Sequence, residues 1–323
     1  RSEEATERIE EHLSNCIEEV MRDLCQGFVE QDNRQQYTEA QRDEIFSDAT
    51  ILLYRMLFML YAEARGLLPV GDPAYDPVSL SSLVDQAIDY TKESGLEDPE
   101  GSTLWQGLGD LSAWINSGDE EHHIPCYNGD LFDDEDKPYI HDFTIADKYL
   151  APALFSLGTI EADNEKGYQR IDYRDLAVRH LGSIYEGLLE YKLFIAQEKR
   201  IRRSDGKGGY SFPELAETTL KRGEEDQVID IDEVYFAHNA GERKAMGAYY
   251  TPEYIVDYIV ENTVRRGLEE PRESLEEQLP QWISDVEASP PGERTRLQKT
   301  VDQRLVDFVE EEVLAFSVCD PAM

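Results

Sequence analysis

Residues 51–62, ILLYRMLFMLYA, form the longest nearly uninterrupted apolar run in the sequence, and little freedom is left to such a segment. It is broken by Arg55 and falls well short of the roughly 20 residues a bilayer span requires, so it is expected to be the buried central helix of a soluble chain with no membrane partner. Thr38 before Glu39 offers a helix start, and Gly66 with Pro69 a stop, which places a long helix through Leu68. Upstream, Ile9, Leu13, Ile17, Val20, Leu24 and Val29 recur at helical spacing, and the polar QDNRQQY at 31–37 interrupts them, so the two segments predict an α-hairpin. The charged opening RSEEATERIEEHL lacks the apolar region of a secretory signal, and a cytoplasmic location is expected.

The chain has 323 residues, enough for two domains with real cores. Beyond a turn-rich PVGDPAYDPVS, helices are predicted near 79–93, 103–116, 144–158 and 172–190. The stretch 118–140 is full of turn formers and predicts a structured loop. YKLFIAQEK (191–199) and VIDIDEVYFAH (228–238) alternate as strands do, giving a small antiparallel element. A helix is expected over 252–266, then a charged, Pro-containing insertion with one short helix, a helix near 297–312 and a strand at 314–319. The predicted organisation is mainly α: a helical domain over 1–190, a small β element and linker over 191–245, and a further domain opening at 246–323.

Cys16, Cys25, Cys126 and Cys319 are scattered without a Cys-x-x-Cys pair, which suggests neither a disulfide framework nor a zinc ribbon. The net charge of −38 taken alone argues against a polyanionic partner. The acids, however, are spread along every predicted helix, and the bases comprise 21 Arg against 10 Lys. That pattern suits a halophilic habitat, where a Debye length of about 3 Å screens self-repulsion and counterion release contributes little to DNA binding, leaving base and shape contacts to carry recognition.

Residues 247–260, GAYYTPEYIVDYIV, combine a structural and a functional signal. Thr251 suits an N-cap, Pro252 the first helical position, and Ile255, Val256, Ile259 and Val260 an inward stripe. Gly247 permits close backbone approach, Tyr249 and Tyr250 offer flat surfaces, and the helix N-terminus suits a carboxylate. The later SVCDPAM is an apolar strand whose C-terminal edge carries Asp320, the position at which open α/β sheets bind nucleotides; Pro321 and Ala322 allow a tight turn to follow.

RKAMGAYYTPEYIVDYIVENTV followed by VCDPAM resembles the cofactor-binding region of the adenine-specific DNA methyltransferases of restriction-modification systems, most closely the type IIG enzymes. LLYRMLFMLYAEARGLLP (52–69), YNGDLFD (127–133) and DYRDLAVRHLGSIYEGLLEYKL (172–193) are similar to the helical connector of that family. The resemblance implies that residues 246–323 begin an α/β Rossmann-like domain binding S-adenosylmethionine. Tyr249, Tyr250, Thr251 and Pro252, motif X of the family, would border the methionine moiety, and Asp320, Pro321 and Ala322, the start of motif I, would lie under it. The implied partner is double-stranded DNA, and Mg²⁺ enters only if a nuclease domain exists outside this chain.

The sequence has no glycine-rich continuation of motif I and no Asn-Pro-Pro-aromatic motif, with which the family holds the flipped adenine and its exocyclic amine. No catalytic residue is therefore assigned, and the chain is expected to be an internal fragment, inactive alone. The alternatives are a phage-defence methyltransferase without its own nuclease and a non-catalytic helical scaffold. Two further patterns are set aside. Asp172 or Asp175 with Glu190 and Lys192 imitates a nuclease site but falls in the connector-like stretch, and His122, His123, Cys126 and His141 suit a polar loop better than a metal, because adjacent histidines rarely share an ion.

Overall fold

A computed structural model describes residues 2–32, 34–92, 98–162, 167–176, 178–189, 191–204, 210–218, 220, 227–238 and 253–317. The protein is mostly helical with a few small antiparallel strand pairs. Two compact units are present, Arg1–Ala248 and Tyr249–Met323.

In the first unit, α1 (Ser2–Asp32) and α2 (Glu39–Ala64) form the expected hairpin. The Thr38 hydroxyl accepts the Gln41 N–H at 3.3 Å while the Gln41 side chain accepts the Thr38 N–H at 3.0 Å, a reciprocal capping box. At the other end Gly66 takes φ +67°. There the Leu67 N–H reaches the Ala62 carbonyl at 2.9 Å and the Gly66 N–H that of Glu63 at 3.1 Å, which satisfies the last orphan carbonyls. The helix therefore stops at Ala64, a turn before the expected Leu68. By length and apolarity α2 could cross a membrane, yet Leu53, Met56, Leu57 and Met59 are wholly buried in the protein core. That core also takes in Leu13, Val20 and Leu24 of α1.

Around this pair stand α3 (Leu80–Lys92), α4 (Thr103–Ser117), the short α5 (Pro138–Asp142), α6 (Asp147–Gly158) and α7 (Val178–Leu188). α6 lies against α1 and α3. Where α3 meets the end of α6, a side chain at Gly158 would come within 2.2 Å of Val84, so the approach depends on glycine.

Three buried carboxylates lock these helices together. Asp48 of α2 accepts the Tyr139 N–H at 2.8 Å, at the start of α5. Glu63 of α2 accepts the Leu80 N–H at 2.7 Å and the Ser81 N–H at 3.1 Å, opening α3, and also the Tyr75 hydroxyl at 2.8 Å. Asp147 of α6 accepts the N–H groups of Thr103 and Leu104, each at 3.1 Å, opening α4. Each anion sits where free N–H groups and the helix dipole favour one. Burial nevertheless raises the carboxyls of Asp48 and Asp147, against the lowering effect of those N–H groups. Arg55, the interruption in the apolar run, is buried and donates to the carbonyls of Leu131 at 2.7 Å and Asp133 at 3.2 Å, and to the Asp134 carboxylate at 2.6 Å. It pins the predicted loop, which holds a 3-10 turn at Asp130–Phe132 and, unforeseen in the sequence, α5.

The strands pair as β1 (Thr159–Glu161) with β2 (Tyr168–Arg170), β3 (Tyr191–Ile195) with β8 (Val234–His238), β4 (Arg200–Ile201) with β7 (Val228–Ile229), and β5 (Arg203–Ser204) with β6 (Tyr210–Ser211). All are antiparallel, with Tyr191 opposite His238 and Ile195 opposite Val234. β8 packs on α1 and β3 on α2, so the β element belongs to the first unit.

The second unit contains α8 (Glu253–Val260), continued by a π-helical turn at Glu261–Arg265, then α9 (Glu269–Ala288) and α10 (Pro291–Phe308) with a second π turn at Val309–Val313. The long α9 thus replaces the expected insertion with one short helix, and α10 is the helix expected near 297–312, begun earlier at Pro291. Pro271 occupies the first turn of α9 and Pro291 opens α10, positions where the missing N–H has no intrahelical partner to lose. The strand expected at 314–319 is not formed over its described part, because Leu314 and Ala315 make a turn after the π segment. Among the described residues of this unit only Val301 is buried.

Candidate functional site

Tyr249, Tyr250, Thr251, Pro252, Asp320, Pro321 and Ala322 lie outside the described residues. What is described is the helix that follows the Thr-Pro pair. α8 carries the apolar residues the sequence places there, but of the expected stripe Val256 is 41% exposed, Ile259 50% and Val260 46%, with Ile255 half-buried; Tyr254 and Tyr258 are more exposed still. Among the described residues the expected inward stripe is therefore largely uncovered.

The two patterns set aside in the sequence are held by other partners. Lys192 pairs with Glu39 at 3.3 Å and Asp172 with Arg174 at 2.5 Å; Glu190 lies outside the described residues. The His122 ring bonds Asp119 at 2.8 Å and stacks on Trp114, His123 bonds Asp72 at 2.7 Å, and His141 bonds Asp142 at 2.7 Å. The backbone N–H and ring of His122 hold the Asp119 carboxyl below its ordinary range. No group of His, Cys, Asp and Glu suited to a metal ion occurs among the described residues. Cys16 and Cys25 are buried and their thiols are pushed up by desolvation, that of Cys16 to about 12, so both stay protonated and unreactive.

A cavity of about 470 Å³ lies between α1, the start of α6 and the β element. From α1 come Glu18, Arg22, Asp23 and Gln26, one helical face at spacings of four, five and eight. From α6 comes Tyr149, and from the β element Arg202, Phe212, Tyr235 and Glu233 among others. Gln26 fastens the wall, accepting the Val234 N–H at 2.8 Å and donating to the Asp232 carbonyl at 3.2 Å. The Phe212 and Tyr235 rings meet at 4.7 Å with a 38° tilt. Arg202 pairs with Glu18 at 3.1 Å and lies 3.8 Å over the Tyr210 ring, while its Nε is buried without a partner. Asp23 makes no hydrogen bond or ion pair among the described residues. Burial, opposed by the charge of Arg22, pushes its carboxyl up to about 7.

Asp23 does not stand out in the sequence, because an acid on a polar helix face reads as solvated. Its environment is made by residues two hundred positions away. The recoverable hint is that Asp23 lies between buried Met21 and Leu24, at the margin of the apolar stripe.

Scans of this chain against protein-family models, characterised proteins and solved structures find no match.

Proposed function

We propose that this chain is part of an S-adenosylmethionine-dependent DNA adenine methyltransferase of a restriction-modification system, contributing the helical connector and the opening helix of the methyl-transfer domain. The observation that carries the reading is the exposed apolar face of α8, directly after Tyr249-Tyr250-Thr251-Pro252. An amphipathic helix leaving Tyr254, Tyr258 and Ile259 in water lacks the surface its sequence is patterned to meet, and the sheet of a Rossmann-like domain is such a surface.

On this reading Thr251 and Pro252 cap the helix beside the methionine end of the cofactor, Tyr249 and Tyr250 flank it, and Asp320, Pro321 and Ala322 form the strand edge beneath. The acceptors that would orient the adenine amine, an Asn side chain and a Pro carbonyl, have no counterpart here. The chain alone then binds cofactor weakly and transfers no methyl group. Calorimetric titration of S-adenosylmethionine into this chain, and into the same chain extended by a glycine-rich motif and an Asn-Pro-Pro-aromatic motif on their sheet, tests this. Binding is expected only in the extended protein and is expected to weaken with Asp320→Ala. Methyl transfer to DNA by the 323-residue chain would overturn the assignment of the missing chemistry, and an extended protein that ignores the cofactor would overturn the family reading.

A further inference from the structure

We propose that the cavity between α1 and the β element binds a small organic cation, held by the Asp23 carboxylate against the Phe212 and Tyr235 rings. This rests on the first unit alone and is independent of the methyl-transfer reading.

Among the described residues, each charged side chain lining the cavity except Asp23 has at least one partner. Arg202 holds Glu18 at 3.1 Å, Arg22 holds Glu19 at 3.3 Å, and the Glu233 carboxylate accepts the Asp230 N–H at 2.7 Å. From α6, Tyr149 directs its hydroxyl to Glu30. Asp23 is left facing the space with a desolvated carboxyl and no donor. Ionising it there costs free energy that a bound counter-charge returns. An ammonium supplies that charge; an anion adds repulsion from Asp23, and a neutral molecule leaves the carboxylate unpaired.

The walls suit the rest of such a ligand. The Phe212 ring, tilted 38° against Tyr235 at 4.7 Å, offers a surface whose negative quadrupole attracts a cation and which covers an apolar body, while Tyr235 itself stacks on Phe194 at 5.5 Å and carries the Arg200 guanidinium at 5.9 Å. A volume of about 470 Å³ lies within the range of small-molecule pockets, about 300 to 1,000 Å³.

The test is isothermal titration of the full chain with benzylammonium, using benzyl alcohol as the uncharged control of the same shape. Saturable one-to-one binding is expected for the cation and none for the alcohol. Because the Asp23 carboxyl titrates near 7, its ionised fraction rises from about one-tenth at pH 6 to about nine-tenths at pH 8, and affinity is expected to rise about tenfold. Asp23→Asn is expected to weaken binding at pH 8 at least about tenfold and to flatten the pH dependence. Phe212→Leu is a second variant that keeps the carboxylate and is expected to weaken binding at both pH values alike. Equal binding of alcohol and cation, an unchanged Asp23→Asn titration, or no saturation by about 10 mM at pH 8 would each overturn the proposal. The charge selectivity and the pH step are both measured on the unsubstituted chain, so a variant that failed to fold would not leave the proposal untested.

Discussion

Replacing Arg55 separates two accounts of how a charge can sit inside an apolar helix. Its side chain is 2% exposed, whereas that of its ionic partner Asp134 is 44% exposed. If the ion pair dominates, Asp134→Ala and Arg55→Ala should cost similar amounts. Geometry argues otherwise. A half-exposed carboxylate rehydrates when its partner leaves, and such pairs are worth about 0–1 kcal/mol. The Leu131 carbonyl, at 2.7 Å, is part-buried, and the guanidinium also covers the Phe132 ring at 5.7 Å. Hydrogen bonds to a charged group contribute about 1.5–3 kcal/mol each, and a buried acceptor left unsatisfied costs about 1–3 kcal/mol. Arg55→Ala is therefore expected to destabilise by about 3–5 kcal/mol and Asp134→Ala by less than about 1 kcal/mol. Urea denaturation gives the two values, and amide exchange over 130–140 localises the loss, with faster exchange expected there in Arg55→Ala. Equal costs for the two variants, or a cost below about 1 kcal/mol for Arg55→Ala, would refute the reasoning.

Other substitutions probe the remaining contacts. Glu63→Gln keeps the shape but loses the charge and one acceptor oxygen, so α3 should loosen, at a cost of about 2–4 kcal/mol by denaturant titration. Gly158→Ala drives a methyl to 2.2 Å from Val84, itself fully buried, and should cost about 1–3 kcal/mol, partly recovered by Val84→Ala. Asp23 has a folded-state carboxyl raised to about 7, so its protonated form stabilises the fold at acidic pH and that contribution is lost as pH rises through 7. Asp23→Asn should thus be more stable than the parent by on the order of 2–4 kcal/mol at pH 8, with the difference vanishing toward pH 4. Raising KCl from about 0.1 M to about 2 M should raise Tm, because a net charge of −38 repels itself over a Debye length of about 10 Å at the lower salt.

The helices of the first unit were legible because their apolar periodicity coincides with burial: Leu13, Val20 and Leu24 are each inside. Strand alternation likewise located β3 and β8. α5 was hidden because Pro138 and its acidic neighbours look like a turn, and the partner that organises it, Asp48, lies ninety residues upstream. The length of α9 and the early start of α10 were hidden by their prolines. Pro271 and Pro291 read as breakers in sequence but sit in first turns, where proline is tolerated, and Pro280 lies within α9 itself. The candidate cofactor residues were legible only as a pattern, and they lie outside the described residues. Beyond the place of Asp23 at the margin of the apolar stripe, its cavity was not legible, since it is assembled by segments far apart along the chain.

The use of acid inside the first unit distinguishes structural from poised groups. Among the described acidic residues, Asp48, Glu63 and Asp147 are buried, and each is met by one or more backbone N–H groups at the start of another helix. The fold thus supplies donors where a carboxylate's role is to join helices. Those donors limit the rise that burial causes at Asp48 and Asp147. Asp23 is desolvated by the same physics but lacks the donors, and it borders open space rather than a helix end. Among the described residues only the neighbouring Arg22 offsets that cost, and only in part, so a compensating charge from a bound ligand would lower it further.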